Sequence, residues 1–174
     1  MATQYYTGSS LDGFIADPQH SLSWLVTRDI DNKGPMAYDG FYEQVGAMAM
    51  GASTYQWILD NDSGPWGYKI PCWVFTHREF PETDRDIRFT TESAASVHAQ
   101  MSEAAGEKNI WLVGGGDLVG QFHDAGLLDE VWVQYAPVTL GAGAPLLPRR
   151  VELSVLEVAR NRDFMCGKYA VVRP

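Results

Sequence analysis

Short runs of apolar, β-branched and aromatic residues alternate with segments of helical periodicity along the whole chain. Runs of strand length lie at residues 4–9, 47–50, 72–76, 87–90, 110–113 and 131–135. Helices are predicted between them, near residues 39–45, from residue 53 or 54 through Leu59, at 93–105 and at 117–125. This alternation is typical of an α/β fold in which helices flank a central, mostly parallel sheet.

Two further segments complete the predicted architecture. Residues 151–160 and 168–173 have strand character without a helix between them, which predicts a C-terminal antiparallel pair. Residues 12–35 are rich in Gly, Pro, Asp and Ser and are long for a loop, which is typical of a functional lid. No internal repeat or change of composition divides the chain, so residues 1–174 are interpreted as one domain.

The helix at 93–105 has the clearest periodicity. Ser93 is its predicted N-cap, and Gly106 is expected to end it. Val97, Met101 and Ala105 recur every four residues, which predicts an apolar stripe packed into the core.

The charge of the chain narrows the choice of partners. The sequence has 13 Lys and Arg against 22 Asp and Glu, a net charge of -9, so nucleic acids and anionic membranes are predicted to be poor partners. A small phosphorylated ligand remains compatible, because backbone amides and a few local cations can bind it. Cys72 and Cys166 form no C-x-x-C pair and the histidines lack metal-ligand spacing, so buried thiols and no metal site are expected. No leader or membrane span is evident, which predicts a cytoplasmic protein.

The sharpest local signal is a strand, a glycine turn and a helix within residues 110–122. Gly114, Gly115 and Gly116 follow a buried strand, so another molecule can approach the backbone, and free amides at the start of the helix favour a phosphate. A turn that only packs the helix onto the strand explains these glycines equally well. The spacing differs from G-x-G-x-x-G, which argues against an ordinary Rossmann site.

Two other strand ends suit an anion. Gly51 follows the strand at 47–50, and Ser53 or Thr54 can cap the next helix. The strand at 72–76 delivers a hydroxyl, an imidazole and a guanidinium to one loop, from Thr76, His77 and Arg78. An ordinary surface charge is the alternative interpretation of this loop. Three such strand ends in one small sheet favour a dinucleotide that carries an extra phosphate.

The order and spacing of these motifs resemble dihydrofolate reductase and, more closely, the reductase domain of the bacterial riboflavin-biosynthesis protein RibD. The resemblance covers nearly the whole chain and is carried by residues 9–16, 50–55, 74–76, 113–117, 128–133 and 137–143. It implies a single-domain dihydrofolate reductase-like fold, NADPH as cofactor, and hydride transfer to a small pterin- or pyrimidine-like heterocycle. It also implies a homodimer.

The resemblance assigns cofactor contacts to particular residues. The segment after the first strand would lie over the nicotinamide, so Asp12, Ile15 and Ala16 would contact the cofactor ring or the substrate. The adenosine ribose and its 2′-phosphate would lie at the loop of residues 76–78. The pyrophosphate would lie between the two glycine turns, in contact with Gly51, Ser53, Thr54, Val113, Gly114, Gly115, Gly116, Asp117 and Leu118.

The substrate side departs from the folate pattern. Folate reductases usually carry an acid on the first helix and an arginine directly after the Met-Gly pair. Here Ala52 occupies the position of that arginine. Asp39 is the candidate acid, although its spacing to Gly51 is shorter than in the folate enzymes, and a helix cap or surface carboxylate is its alternative role. Gln134 and Trp24 are candidates for substrate contact, and a solvent-facing position is the alternative for Gln134. The proton is expected from water, Asp12 or Asp39.

Three classes of function remain open at this stage. The favoured one is an NADPH-dependent reductase. A protein that binds NADPH or a related nucleotide without turnover, as a sensor or oligomeric module, would show the same phosphate loops. A structural α/β domain would show no nucleotide affinity.

Overall fold

A mostly parallel eight-stranded sheet forms the centre of the protein. The computed structural model describes residues 1–173, so Pro174, the last residue of the predicted domain, lies outside it. The strands in chain order are β1 (Thr3–Ser10), β2 (Phe14–Ala16), β3 (Val45–Gly51), β4 (Cys72–Phe75), β5 (Ile87–Thr90), β6 (Asn109–Gly114), β7 (Glu130–Ala136), β8 (Ala144–Pro145), β9 (Leu153–Asn161) and β10 (Phe164–Val171). The large sheet has the order β5-β4-β3-β6-β1-β7-β10-β9, and β2 pairs separately with β8.

The strand pairing confirms the predicted fold class. The six strands β5, β4, β3, β6, β1 and β7, adjacent in this order across the sheet, run parallel to one another, whereas β10 pairs antiparallel with both β7 and β9. The predicted C-terminal antiparallel pair is therefore confirmed. Because β1, β3, β4, β6 and β7 are parallel, their carboxyl ends meet at one edge of the sheet, where open α/β sheets bind ligands.

Helices cover both faces of the sheet. They are α1 (Ser23–Val26), α2 (Tyr38–Tyr42), α3 (Ala52–Asn61), α4 (Ala94–Ala105) and α5 (Gly116–Asp124). On one face, Val97 of α4 and Phe122 of α5 pack in the core that includes Tyr5. On the other face, Phe41 of α2 stacks on Tyr6 with 4.3 Å between ring centroids. Successive strand residues point to opposite faces, so Tyr5 lies in the first core and Tyr6 in the second.

The predicted helix at 93–105 is confirmed. The Ser93 hydroxyl accepts a hydrogen bond from the Ser96 amide at 3.2 Å, and Gly106 follows the helix with φ of +61°. Val97 and Met101 are fully buried, as the four-residue spacing predicts. Within residues 1–173 this is the longest helix, at 12 residues, and no helix there has the length and apolar character needed to cross a membrane.

Other boundaries differ from the prediction. The α3 helix begins at Ala52 with Gly51 as its N-cap, so Ser53 and Thr54 lie inside the first turn and the predicted hydroxyl cap is wrong. Gly51 is both the last residue of β3 and the N-cap of α3, so no further residue separates the strand from the helix. The α2 helix ends at Tyr42, because Val45 already begins β3. The irregular stretch 12–35 contains β2 and α1.

Both cysteines are free and buried, as predicted. Burial raises the pKa of the Cys72 thiol to about 12, because the thiolate would lose its hydration. Burial also raises the pKa of Cys166. Neither thiol is activated as a nucleophile by its surroundings.

Candidate functional site

The carboxyl ends of β3 and β6 bring the two predicted glycine turns together. A Cβ on Gly51 would lie 3.9 Å from both the carbonyl oxygen of Gly114 and the amide nitrogen of Gly115. The strands are parallel neighbours, with Met50 opposite Gly114, so α3 and α5 begin side by side. Two adjacent helix N-termini present free amides to one region, which suits the negative charge of a phosphate.

The three consecutive glycines have different structural reasons. Gly114 has φ of +128°, a backbone conformation that favours glycine. A Cβ on Gly116 would lie 2.5 Å from carbonyl oxygens of residues 145–146, so this glycine is required by packing. A Cβ on Gly115 would meet nothing closer than the Ile15 Cδ1 atom at 3.7 Å. The packing interpretation therefore holds for Gly116, whereas Gly115 leaves room for another molecule.

The remaining residues predicted at this turn have distinct environments. Leu118 is buried in the core beneath α5, and Val113 packs against the core on the opposite face. Asp117 is exposed in the first turn of α5, and its carboxylate forms an ion pair with Arg149 at 3.2 Å. Arg149 also pairs with Asp124 at 3.0 Å. Leu118 thus stabilises the helix from inside, while Asp117 stands at the surface with its charge offset by a neighbouring cation.

A cavity of about 360 Å³ opens at the ends of β4 and β5. It brings together the three residues of the predicted anion-binding loop. It also contains Glu92 and Gln121, which the sequence analysis missed, because their approach depends on the pairing of β5 and the placement of α5. The lining residues are Ala52, Phe75, Thr76, His77, Arg78, Thr90, Thr91, Glu92 and Gln121.

Arg78 and Glu92 place opposite charges in this cavity. The Arg78 amide donates to the Thr76 hydroxyl at 2.8 Å, which fixes the loop, but the guanidinium has no hydrogen-bond partner among the described residues. The Glu92 carboxylate accepts hydrogen bonds from the Ser96 hydroxyl and from the Gln100 side-chain amide. The cation is therefore available to a ligand, whereas the acid is tied to α4.

A second cavity of about 670 Å³ lies between residues 19–26 and α3. Arg78 lines this cavity as well and so connects the two. The ionisable side chains that line this second cavity are His20, Asp60 and Arg78, so the cavity has no clear excess of positive charge. The lining residues are Gln19, His20, Ser21, Leu22, Ser23, Val26, Ser53, Gln56, Trp57, Asp60, Asn61 and Arg78.

Asp12 uses both of its carboxylate oxygens for hydrogen bonds. Oδ1 accepts from the Ser10 hydroxyl at 2.7 Å and from the Leu140 amide at 3.0 Å, and Oδ2 accepts from the Gly141 amide at 2.7 Å. These bonds, the one from Ser10 above all, lower the pKa of Asp12 to about 2. A carboxylate held in this way has no proton to donate near neutral pH. The geometry therefore favours an anchoring role for Asp12 over its predicted role as an acid.

Gln134 is held inside the protein. It is 4% exposed, so its solvent-facing alternative is wrong. Its amide nitrogen donates to the Met36 carbonyl oxygen at 2.8 Å and to the Tyr6 hydroxyl at 3.3 Å, and its amide oxygen accepts from the Cys166 thiol. A substrate that used Gln134 as an anchor would have to replace these internal bonds.

Trp24 and Asp39, the other two residues predicted near the substrate, differ in exposure. The Trp24 indole nitrogen donates to the Ser21 carbonyl oxygen at 3.0 Å, and the residue packs against a small apolar cluster that includes Phe164, outside both cavities. Its substrate contact stays a prediction. Asp39 is exposed in the first turn of α2, and no side-chain hydrogen bond caps that helix. Its assignment as an acid stays a prediction.

Solved structures that superimpose on the chain define the class of fold. A protein from Shewanella sp. PV-4, provisionally named as a riboflavin biosynthesis protein, has a TM-score of 0.84 at 26% identity, over 99% of this chain and 100% of that one. The Thermotoga maritima diaminohydroxyphosphoribosylaminopyrimidine deaminase/5-amino-6-(5-phosphoribosylamino)uracil reductase has a TM-score of 0.64 at 17% identity, over 98% and 56%. Dihydrofolate reductase from Enterococcus faecalis, solved with NADP(H), has a TM-score of 0.59 at 12% identity, over 98% and 96%. The predicted dihydrofolate reductase-like fold is confirmed.

The family follows from the sequence comparisons. The RibD C-terminal domain family matches residues 66–167, which is more than half of the chain. The chain therefore belongs to the RibD C-terminal domain family, as the motifs indicated. The uncharacterized protein YwjB of Bacillus subtilis (strain 168) is 31% identical over 163 residues, 93% of this chain and 91% of that protein.

Proposed function

We propose that the protein is an NADPH-dependent oxidoreductase that transfers a hydride to a small pyrimidine- or pterin-like heterocycle. The observation that carries the proposal is the meeting of three anion-suited segments at one edge of the sheet. The turns at Gly51 and Gly115 adjoin, and the guanidinium of Arg78, which has no partner among residues 1–173, lines the neighbouring cavity. Membership of the RibD C-terminal domain family supports the proposal, as does the name of the Thermotoga relative, which includes a uracil reductase.

The residues at this edge fit a dinucleotide with an extra phosphate. Gly115 leaves space for the pyrophosphate, and the N-terminus of α3 begins beside this turn. The 2′-phosphate would lie at residues 76–78, where hydroxyl, imidazole and guanidinium donors meet in one cavity. Ile15 and Ala16 of β2 would contact the nicotinamide. The bound cofactor supplies the hydride from its nicotinamide C4 atom.

One acid at this edge requires explanation, because an anion is expected nearby. Asp117 lies in the first turn of α5, where a free carboxylate would compete with the pyrophosphate for the helix N-terminus. Its ion pair with Arg149 offsets that charge. Because Arg149 also pairs with Asp124, it offsets the Asp117 charge only in part, and the cofactor would meet a partly compensated carboxylate rather than an isolated one.

The substrate would bind in the cavity of about 670 Å³ between residues 19–26 and α3. Its walls would orient the heterocycle against the nicotinamide and exclude water, which is the main contribution a protein makes to direct hydride transfer. The proton would come from water or from Asp39, since the Asp12 oxygens are engaged.

A nucleotide-binding protein without turnover is the second candidate. The observation that favours it is the engagement of two predicted substrate-side groups in internal bonds, Asp12 with segment 140–141 and Gln134 with Met36. A reductase whose proton comes from water would show the same arrangement, so binding and turnover have to be measured separately.

The experiment has two stages. NADPH is titrated into the protein while tryptophan fluorescence is followed, since Trp57 lines the second cavity. NADPH oxidation is then followed at 340 nm with ribosylaminopyrimidines, pterins and dihydrofolate. Binding with turnover supports the proposed reductase. Binding without turnover favours a nucleotide-binding sensor, and no binding favours a structural domain.

Three further expectations belong to this proposal. Residues 1–174 act as one domain, the protein works in the cytoplasm, and it forms a homodimer. The edge strand β9 exposes Val155 and Val158, at 64% and 66%, and Met165 of β10 is 51% exposed beside them. An apolar surface of this kind favours self-association. Sedimentation equilibrium measures the mass directly.

A further inference from the structure

Two segments far apart in the sequence are joined next to the glycine turn. The loop from Leu11 to Ala16 and the segment 138–146 are held by backbone bonds at both ends. The Leu11 amide donates to the Val138 carbonyl oxygen at 2.7 Å, and the Leu146 amide donates to the Gly13 carbonyl oxygen at 2.9 Å. The short antiparallel pair of β2 and β8 lies between the same segments.

We propose that Asp12 is a positioning residue that clasps residues 140–141 against the loop after β1 and thereby sets the shape of the nicotinamide site. This inference rests on the proposed function. Each carboxylate oxygen accepts one amide of the distant segment, from Leu140 at 3.0 Å and from Gly141 at 2.7 Å. No other side chain in the described residues bonds to these two amides.

Ser10 connects the clasp to the sheet. Its hydroxyl donates to the Asp12 carboxylate at 2.7 Å and accepts from the Phe14 amide at 3.0 Å, at the end of β1. The carboxylate therefore has a fixed direction before it meets the two amides. Bonds from amides to an ionised carboxylate are stronger than those between neutral groups, so a clasp of this kind resists opening.

The clasp leads to the cofactor site through two contacts. Carbonyl oxygens of residues 145–146 lie so close to Gly116 that a Cβ there would be 2.5 Å away, and the Leu146 carbonyl oxygen also accepts from the Tyr5 hydroxyl at 2.9 Å. On the other side, Ile15 lies against Gly115. A change at Asp12 would therefore move the glycine turn and Ile15 without touching the reacting atoms.

The chemistry of the side chain provides the test. In Asp12→Asn one acceptor oxygen becomes an NH₂ donor, which faces a backbone amide that also donates. Asp62→Asn is a matched control, because the Asp62 carboxylate accepts from the Gly64 amide at 3.0 Å within an exposed local turn. Ser10→Ala is a second variant that removes the support and leaves the carboxylate.

The first readout is hydrogen exchange of the amides of residues 140–141, which needs no cofactor. We expect exchange to accelerate roughly 10-fold or more in Asp12→Asn, to a smaller extent in Ser10→Ala, and not in the control. Unchanged exchange in Asp12→Asn would show that the carboxylate does not clasp the segment, and the proposal would be wrong.

The second readout separates positioning from proton donation. We expect the Kd and KM for NADPH to rise roughly 10-fold in Asp12→Asn, while kcat changes less than about 3-fold and keeps the pH profile of the parent protein. A fall of kcat of about 100-fold or more, with loss of one limb of the pH profile, would make Asp12 an acid catalyst and overturn the proposal. Faster exchange with unchanged NADPH binding would also overturn it. If the parent protein binds no NADPH, the proposed function fails, and with it the positioning role, while the exchange experiment still decides whether the clasp exists.

Discussion

Replacing Arg78 with alanine should weaken the binding of NADPH far more than that of NADH. The guanidinium lines the cavity assigned to the 2′-phosphate and makes no ion pair among residues 1–173, so its loss removes a ligand contact and leaves no protein group unpaired. A charge-assisted hydrogen bond contributes about 1.5–3 kcal/mol, which corresponds to roughly 10- to 150-fold in affinity. Arg78 is exposed, and salt screens exposed charges, so we expect about 10-fold at physiological ionic strength. NADH has no phosphate at this position to lose.

The assay compares the Kd of both cofactors for three proteins by fluorescence titration. The matched control is Arg150→Ala, which removes the same charge from a side chain that is 91% exposed and pairs with Glu152. The control corrects for the change in net charge. The titrations are repeated at low and high salt. The loss of NADPH affinity in Arg78→Ala should become smaller as the salt concentration rises, because screening weakens the phosphate contact.

Two outcomes would refute the reasoning. Equal losses for NADPH and NADH would mean that Arg78 acts on the fold or on the adenine end. No loss for either cofactor would return Arg78 to the role of an ordinary surface charge.

Four further predictions follow from the same site. Gly115→Ala should weaken NADPH binding with native-like circular dichroism, whereas Gly116→Ala should lower the melting temperature, since its Cβ would lie 2.5 Å from two carbonyl oxygens; equal stability losses would contradict this assignment. Glu92→Gln should tighten NADPH more than NADH by titration, because a negative charge leaves the cavity. The kcat/KM on dihydrofolate should stay below about 10⁴ M⁻¹s⁻¹, because Asp39 does not match the folate spacing; a higher value would make Asp39 the acid. The pKa of Asp12 is lowered in the folded protein, so its contribution to the free energy of unfolding should be complete above about pH 4 and disappear as the pH falls towards 2. Acid unfolding curves check this: the parent protein should be more stable than Asp12→Ala above about pH 4, and the difference should vanish towards about pH 2.

The sequence alone indicated the longer elements and the family, but not the short elements β2, α1 and β8. Strand runs, the four-residue stripe of α4 and its cap at Ser93 are local patterns, and the structure confirms them. The order and spacing of the motifs indicated the fold and the RibD C-terminal domain family. Order and spacing are properties of the chain itself and can be recognised without knowing which segments are in contact. Local patterns did not locate the start of α3, where Gly51 itself leads the strand into the helix and Ser53 caps nothing.

Only the tertiary structure decided what the candidate side chains do. Glu92 enters the cavity of Arg78 because β5 pairs with β4, and strand pairing is a long-range contact that spacing does not reveal. Gln134 satisfies its amide inside the protein because α2 and the segment before it cover that face of the sheet. Asp12 accepts hydrogen bonds from residues 140–141, which lie almost 130 positions away, and these bonds favour an anchoring role over that of an acid. In each case the residue type was evident in the sequence, but its hydrogen-bond partner depended on how distant segments pack.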